Sequence, residues 1–363
     1  MTGTAVAEPA PQPEDLPDSI LLREIREQPA ALMRLLEHRA EYAAVARLLR
    51  ARNVELVRLV GHGSSDNAAS YGVYAFGLLP GWTALRDSIS LAVYYGAETD
   101  FHGSCVVGLS QSGQTPDVVA YVERARARGA FTVALTNELG SPLADAAEVV
   151  LPLAAGSEHA IAATKTYTAQ VAALALLAGY TAEFGERVAE GIEHVTELVS
   201  ELLPGLERRL SEVAVALAFV GRMFVMGRGP EFATAREISL KLLETCRVAA
   251  APLTATDLAH GPVAALDGLF PVWTIASDDP LLPAVQEAAA RAHAAGATLL
   301  VSGTGAEAIP DGDYYIPVPR PGLALLTPLL SVVPGQVLSW ALAQAKGLDP
   351  DRPHGLTKVT LAR

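Results

Sequence analysis

Short, continuously apolar runs alternate with stretches of helical periodicity along the first half of the chain. The apolar runs are VELVRLVG, SCVVGLS, FTVALTN and EVVLPL, at residues 54–61, 104–110, 131–137 and 148–153. Helical sequence covers about 18–52, where Pro29 starts a helix or separates two, and then 66–79, 116–128 and 164–179. Continuously apolar strands separated by helices are typical of a parallel sheet that is covered on both faces.

The same alternation begins again after amphipathic helical sequence at about 186–218. Strands are predicted at 222–229, 269–276, 297–303 and 314–319, and helices at 230–245, 279–295 and 327–346. Each half has a G-x-G turn between its first strand and its first helix, at Gly61–Gly63 and Gly227–Gly229. We therefore predict an α/β protein with two similar doubly wound, flavodoxin-like parallel-sheet domains in tandem, derived from a duplication.

This pattern divides the chain into six segments. The segments are a disordered tail at 1–18, N-terminal helices at 19–48, a first sheet domain at 49–185, linking helices at 186–211, a second sheet domain at 212–348 and a C-terminal tail at 349–363. Residues 1–18 are rich in proline, alanine and acidic residues, a composition that favours disorder. They have neither the basic start nor the apolar centre of a signal peptide, so a disordered tail is expected here.

Composition narrows the class of protein. Half of the residues are hydrophobic, and the net charge of −13 argues against nucleic acid or an anionic membrane as a partner, since such binding needs clustered lysine and arginine. Cys105 and Cys246 lie in apolar stretches and are expected to be reduced core thiols. The apolar run at 171–179 is too short to span a bilayer, and a cytoplasmic protein is expected.

Two polar turns follow two strong strands of the first half. The first polar turn is GHGSSDNAA (61–69) and the second is SQSGQT (110–115). Ligands of open α/β sheets bind beyond the carboxyl ends of the strands, where hydroxyls and a helix N-terminus favour an anion. Neither turn has the spacing of a Walker loop or a dinucleotide site. The turns predict a small anionic ligand, and the alternative is that these residues only cap helices.

A charged stripe is predicted on one helix of the second half. Glu237, Lys241 and Glu244 lie at i, i+4 and i+7 and share one helix face, and His260 follows shortly afterwards. A carboxylate, an amine and an imidazole in one cleft would provide general acid–base catalysis, whereas the alternative is a solvated ladder of ion pairs. Lys358 has apolar neighbours that suggest a docked tail, although terminal lysines are commonly frayed.

Taken together, these segments resemble the double sugar-isomerase (SIS) domain module, which is the isomerase half of glutamine:fructose-6-phosphate amidotransferase, the glucosamine-6-phosphate synthase. The matching segments are LREIREQPAAL, GHGSSDNAA, GLSQSGQTPD, AATKTYT, EISLKLLE, AHGP and GLTK. They occur in the order of the family and cover nearly all of the chain after residue 20.

The resemblance implies that the two polar turns hold a sugar phosphate. The implied binding positions are Gly63, Ser64, Ser65, Ser110, Gln111, Ser112, Gln114, Thr115 and Ala163. At Ala163 the synthase has a sugar-binding serine, so this chain lacks one hydroxyl contact. His62 replaces a small residue or cysteine of the synthase, Gln114 replaces an acid, and Asp257 replaces a longer acid near the catalytic histidine.

The resemblance also implies catalytic roles. Glu244 would move the proton between C1 and C2 of the open-chain sugar, and His260 would assist ring opening from the neighbouring subunit of a homodimer with a shared active site. Lys358, in a tail that completes the site, would contact the reactive end of the sugar, with a Schiff base as one proposal for the family. Glu237 and Lys241 match the other charged residues of the catalytic helix. No metal or organic cofactor is implied.

The leading hypothesis is an amino-sugar-phosphate deaminase/isomerase that releases ammonia from glucosamine 6-phosphate or a close relative. KLLETC resembles the SIS-type deaminases more closely than the synthase. Because neither a glutaminase segment nor a cysteine at position 2 is recognised, glutamine hydrolysis is not expected. Two alternatives remain: an aminotransferase-type isomerase fed by ammonia or by a separate glutaminase, and a non-catalytic sugar-phosphate-binding protein.

Overall fold

Two parallel five-stranded sheets organise residues 19–358, the part of the chain that the computed structural model describes. The tail predicted at 1–18 and residues 359–363 of the C-terminal tail lie outside this range. The first sheet contains β1 (Leu56–Val60), β2 (Thr83–Arg86), β3 (Ser104–Ser110), β4 (Phe131–Thr136) and β5 (Val149–Pro152). The second contains β6 (Arg222–Met226), β7 (Ala249–Leu253), β8 (Val272–Ile275), β9 (Leu299–Gly303) and β10 (Tyr314–Pro317).

The two sheets share one strand order. The first runs β2-β1-β3-β4-β5 and the second β10-β9-β8-β6-β7, with parallel pairing throughout. Counted from the first strand of each half, both orders read 2-1-3-4-5, which is the flavodoxin-like arrangement. The predicted fold class, two similar doubly wound domains in tandem, is therefore confirmed.

Helices cover the sheets and connect the two halves. Before and within the first half they are α1 (Ile20–Arg26), α2 (Gln28–Glu37), α3 (Arg39–Ala51), α4 (Ser64–Leu78), α5 (Ile89–Val93), α6 (Pro116–Ala127), α7 (Pro142–Ala146) and α8 (Lys165–Thr181). The second half contributes α10 (Glu231–Cys246), α11 (Ala255–Ala259), α12 (Leu282–Ala294) and α13 (Thr327–Ala345). The linking segment is a single helix, α9 (Gly185–Ala216).

Several short elements had no clear signal in the sequence. The strands β2 and β7 are edge strands, and their sequences TALR and AAAPL are short and incompletely buried. Pro252 within β7 suits an edge position, because proline cannot donate a ladder hydrogen bond. The helices α5, α7 and α11 have five residues each, too few to show a helical period.

The centre of the molecule is formed by two helices that are buried on nearly every side. In α8 and α13 apolar residues occur all round the helix, and nearly all of them are buried. α8 packs against α3, α4 and α9, and α13 packs against α9 and α10. The segment Ala324–Ala345 has the length and hydropathy of a membrane-crossing helix, but 89% of its most apolar window is buried inside the fold. This is the usual condition of a core helix.

The two halves meet where α10 packs on α4. Helix α4 begins within the first polar turn, and α10 carries the charged stripe predicted from the sequence. The packing of these helices therefore brings candidate binding and catalytic residues to one interface.

Substitution of two helical glycines, one at the contact of α13 with α10 and one exposed on α9, tests how closely α13 packs on α10. A Cβ added at Gly335 would lie 2.3 Å from Cγ1 of Ile238, whereas one added at the exposed Gly205 of α9 would have no atom within 4 Å. Gly335→Ala should destabilise the fold by about 1–3 kcal/mol through overpacking. Gly205→Ala should stabilise it by about 0.5–1 kcal/mol. Thermal unfolding measures both changes, and shifts of the same sign would contradict this packing.

Candidate active site

The first polar turn joins β1 to α4 through a tight backbone path. Gly63, directly before the helix, has φ 56°, a conformation that side-chain-bearing residues rarely adopt. A Cβ at Gly61 would lie 2.9 Å from Cβ of Ser65, so the chain passes close to the helix here. Gln170 of α8 donates to Oγ of Ser65 at 2.9 Å. The turn thus presents the hydroxyls of Ser64 and Ser65 at the N-terminus of α4.

The second polar turn follows β3, the neighbour of β1 in the sheet. Oγ of Ser110 accepts from the amide of Gly113 at 3.1 Å and lies 3.1 Å from Oγ1 of Thr115. Oγ of Ser112 accepts from the amide of Gln114 at 3.3 Å. Because β1 and β3 flank the switch point of this sheet, both turns lie at the edge where ligands of such folds bind.

A histidine and an aspartate connect these turns. Nε2 of His62 lies 2.7 Å from Oδ2 of Asp117 in the first turn of α6. The N-termini of α4 and α6, with their serine and threonine hydroxyls, make this edge suitable for an anion such as a phosphate group. Ser110 is buried, while the side chains of Gln111, Ser112 and Thr115 are partly exposed and Gln114 is exposed.

The charged stripe of α10 forms a buried network between the halves. Nζ of Lys241 lies 2.6 Å from Oε2 of Glu244, 3.4 Å from Oε1 of Glu237 and 3.2 Å from Oγ of Ser64. Ser64 and Asn67 donate to the two oxygens of Glu237 at 2.9 and 2.8 Å. Glu237 and Lys241 are fully buried, so the alternative of a solvated ion-pair ladder does not describe these residues.

Burial and charge act in opposite directions on this network. Burial raises the pKa of Glu237 above its usual value, although Lys241 and the hydrogen bonds from Asn67 and Ser64 oppose the change. Burial lowers the pKa of Lys241, but the nearby charges of Glu237 and Glu244 outweigh it and raise that pKa. Lys241 is therefore held as an ammonium. The side chain of Glu244 is 21% exposed, so it is the more exposed of the network's two carboxylates.

Lys358 is docked on the loop between β5 and α8. Its Nζ donates to Oε2 of Glu158 at 2.9 Å and to the carbonyl of Ala160 at 2.6 Å. Burial raises the pKa of Glu158, but the charge of Lys358 and hydrogen bonds from Thr164 and Thr166 outweigh burial and lower it. The loop leads directly into α8, whose Gln170 donates to Ser65 of the first polar turn, and the charge of Glu158 also contributes to the raised pKa of Lys241.

The structure thus joins Ser64, Glu237, Lys241 and Glu244 at the interface between the two halves, which we call the interdomain cleft. Direct contacts join Ser64 to Glu237 and Lys241, and the loop that holds Lys358 also carries the partly exposed Ala163. His260 is separate: it is exposed at the end of α11, and within residues 19–358 its imidazole forms no hydrogen bond or ion pair. Asp257 is engaged in a capping box with Thr254.

Sequence reasoning missed several residues of the cleft. Asn67 and Gln170 orient Glu237 and Ser65, and Glu158 binds Lys358, yet each partner is more than 100 residues away along the chain. The one available signal was the position of Asn67 inside the matching segment GHGSSDNAA. In the described part of the chain, no group of three His, Cys, Asp or Glu side chains could hold a metal ion.

Comparisons with known proteins agree with this architecture. Residues 52–179 match the sequence model of the SIS domain. Glutamine--fructose-6-phosphate aminotransferase [isomerizing] of Symbiobacterium thermophilum is 34% identical over 358 residues, which cover 93% of this chain. The chain spans only 58% of the length of that curated relative.

Two solved structures extend the comparison. A candidate phosphosugar isomerase from Silicibacter pomeroyi DSS-3 is 33% identical, with a TM-score of 0.81 and coverage of 92% of this chain and 100% of that one. Glucosamine-6-phosphate deaminase from Thermotoga maritima has a TM-score of 0.75 at 22% identity, covering 94% of this chain and 99% of that one, which is a likeness of fold.

The buried network makes a prediction about stability and pH. Lys241→Met should lower the free energy of unfolding at about pH 8 by ~3–5 kcal/mol, because it leaves Glu237 buried without its counter-charge. The folded-state pKa of Glu237 is raised, so the protonated carboxyl contributes to the free energy of unfolding at low pH. This contribution is lost as the pH rises through that pKa. The destabilisation should therefore shrink toward about pH 5.

Thermal unfolding of the single variant and of a Lys241→Met, Glu237→Gln double variant tests this account. At the higher pH the double variant should be more stable than the single variant, and its stability should depend less on pH. A single variant as stable as the wild type at the higher pH would contradict a buried charge network.

Proposed function

Since this chain belongs to the SIS-domain family of phosphosugar isomerases, we propose that it converts an amino-sugar phosphate from the aldose to the ketose form and releases ammonia. Glucosamine 6-phosphate or a close relative is the proposed substrate. The observation that carries the proposal is the contact from Glu244 through Lys241 to Ser64, which joins a partly exposed carboxylate to the first polar turn. A cytoplasmic location, expected from the sequence, is part of the same proposal.

The proposed reaction begins with the phosphate group bound at the two polar turns. Glu244 takes the proton from C2 of the open-chain sugar and returns it to C1, while one proton passes from the amine nitrogen to O1, which yields a ketose imine. Lys241, held as an ammonium, offsets the negative charge that develops during this transfer. Water then hydrolyses the imine, so that one amino-sugar phosphate and one water give one ketose phosphate and one ammonia.

A second candidate is the reverse reaction, amination of a ketose phosphate. The identity of 34% to an isomerizing aminotransferase supports it, whereas the likeness to the deaminase concerns the fold. The resemblance implies that the synthase has a sugar-binding serine at the position of Ala163. Because Ala163 has no hydroxyl, a ligand that differs from the synthase's sugar near this position is favoured.

Turnover of glucosamine 6-phosphate tests the proposal. Ammonia and fructose 6-phosphate should form in equal amounts, and Glu244→Gln should reduce the rate by about 10²–10⁴-fold, because a positioned acid–base group contributes about this much. Thermal stabilisation by the sugar phosphate should persist in this variant, and Glu201→Gln on the exposed face of α9 is the matched control.

Three other outcomes would change the conclusion. Net amination of fructose 6-phosphate only when ammonia or a glutaminase is supplied would favour the second candidate. Binding without turnover of any hexosamine or fructosamine phosphate would favour a sugar-phosphate-binding protein. A fully active Glu244→Gln variant would exclude Glu244 as the acid–base group.

We also propose that His260 acts in the site of a second copy, in a homodimer. Its imidazole is exposed and has no side-chain partner in the described chain. An open cavity of about 270 Å³ between α4 and α10 is lined in part by Gly63, Asn67 and Leu243, and Leu243 is 53% exposed. An open cleft on one chain and an exposed imidazole are what a shared site requires of each subunit.

Mixing two inactive variants tests the shared site. Glu244→Gln and His260→Ala subunits, co-expressed in equal amounts, should recover about a quarter of the wild-type activity, because half of the dimers are mixed and each has one intact site. Homodimers of either variant serve as controls. If the mixture is no more active than the sum of its parts, His260 does not act across the dimer.

A further inference from the structure

We propose that Asp351 is a positioning residue for Lys358, because it anchors the C-terminal segment to helix α1 and so presents Lys358 at the cleft. The C-terminal segment is defined as residues 349–358. The proposal rests on the function proposed above only for what Lys358 does once it is positioned, since the anchoring itself can be measured without a substrate.

Asp351 caps a helix from the opposite end of the chain. Its Oδ1 accepts from Oγ of Ser19 at 2.9 Å and from the amide of Leu21 at 2.8 Å, and its Oδ2 accepts from the amide of Ile20 at 2.8 Å. The first amides of a helix have no partner within the helix, and a carboxylate also interacts favourably with the helix dipole. This contact therefore fixes the start of the C-terminal segment to α1.

Helix α1 is fixed in turn to the loop between β5 and α8. Oε1 and Oε2 of Glu24 accept from the amides of His159 and Ala160 at 2.5 and 3.1 Å. Beside Glu24, the buried Lys165 binds Glu27 at 2.5 Å and lies 3.8 Å from Glu24. Because Glu24 and Lys165 are both buried and carry these charge-assisted contacts, α1 and the loop form one rigid support.

The far end of the C-terminal segment returns to the same loop. Ala160, whose amide binds Glu24, offers its carbonyl to Nζ of Lys358, and Glu158 beside it completes the ion pair. Between the anchors, residues 354–357 are exposed. A closed path thus runs from Asp351 through α1, Glu24 and Ala160 to Lys358, so loss of the first anchor should free the second.

The chain has few lysines, so chemical modification of lysine can measure how firmly Lys358 is docked. Its four lysines are Lys165, Lys241, Lys346 and Lys358. Lys165 and Lys241 are almost fully buried, and Lys346 binds the carbonyl of Val220 at a distant position. The rate at which an acetylating reagent modifies Lys358, relative to Lys346, therefore reports how firmly the C-terminal segment is docked.

Asp351→Ala should raise this relative rate about fivefold, the change expected for loss of a helix cap. Asp351→Glu should restore most of the protection, and Arg352→Ala, an exposed neighbour in the same segment, should have no effect. An unchanged Lys346 rate shows that the variant is folded. With glucosamine 6-phosphate, Asp351→Ala should lower kcat by a similar factor and leave KM nearly unchanged.

An unchanged rate of Lys358 modification in Asp351→Ala overturns the proposal, whatever the turnover. A raised rate combined with wild-type kcat also overturns it, since Lys358 would then act without its anchor. If the wild-type protein turns over no sugar phosphate, the proposed function fails, and the modification rate alone decides whether Asp351 anchors the segment.

Discussion

A buried ammonium between two carboxylates holds the two halves of this molecule together at the cleft. Lys241 of the second half contacts Ser64 of the first half, and Glu237 accepts hydrogen bonds from Ser64 and Asn67. Each of these groups would be costly to bury alone, and together they neutralise and satisfy one another. The same contacts set the position of Glu244 relative to the polar turns, so the packing of α10 on α4 determines the geometry of the candidate site.

The two halves share a topology but use their switch points differently. In the first half, α4 begins with Ser64, and its hydroxyl faces the interdomain network. In the second half, α10 begins with Glu231, a buried carboxyl that accepts from Ser277 and Ser331 at 2.7 and 2.9 Å. Burial raises the pKa of Glu231. The second switch point is therefore occupied by the chain itself, while the first remains open to a ligand.

Elements that follow a local sequence pattern could be predicted, whereas contacts between residues far apart along the chain could not. The strand β3 has the bounds predicted for it, since its sequence is a short, mostly apolar run and all seven of its residues are buried. The i, i+4, i+7 spacing placed Glu237, Lys241 and Glu244 on one face, but that spacing could not distinguish a solvated face from a buried one. The contacts of Asp351 with α1 span about 330 residues, and no local period records them.

We propose that one ligand contacts both halves at the cleft between α4 and α10. Hydrogen exchange, measured with and without a hexitol 6-phosphate that cannot isomerise, tests it directly. We expect joint protection of the two polar turns, of 237–244 in α10 and of the loop at 158–164. Protection confined to the second sheet, at 227–230 and 277–281, or no change at either polar turn, would contradict it.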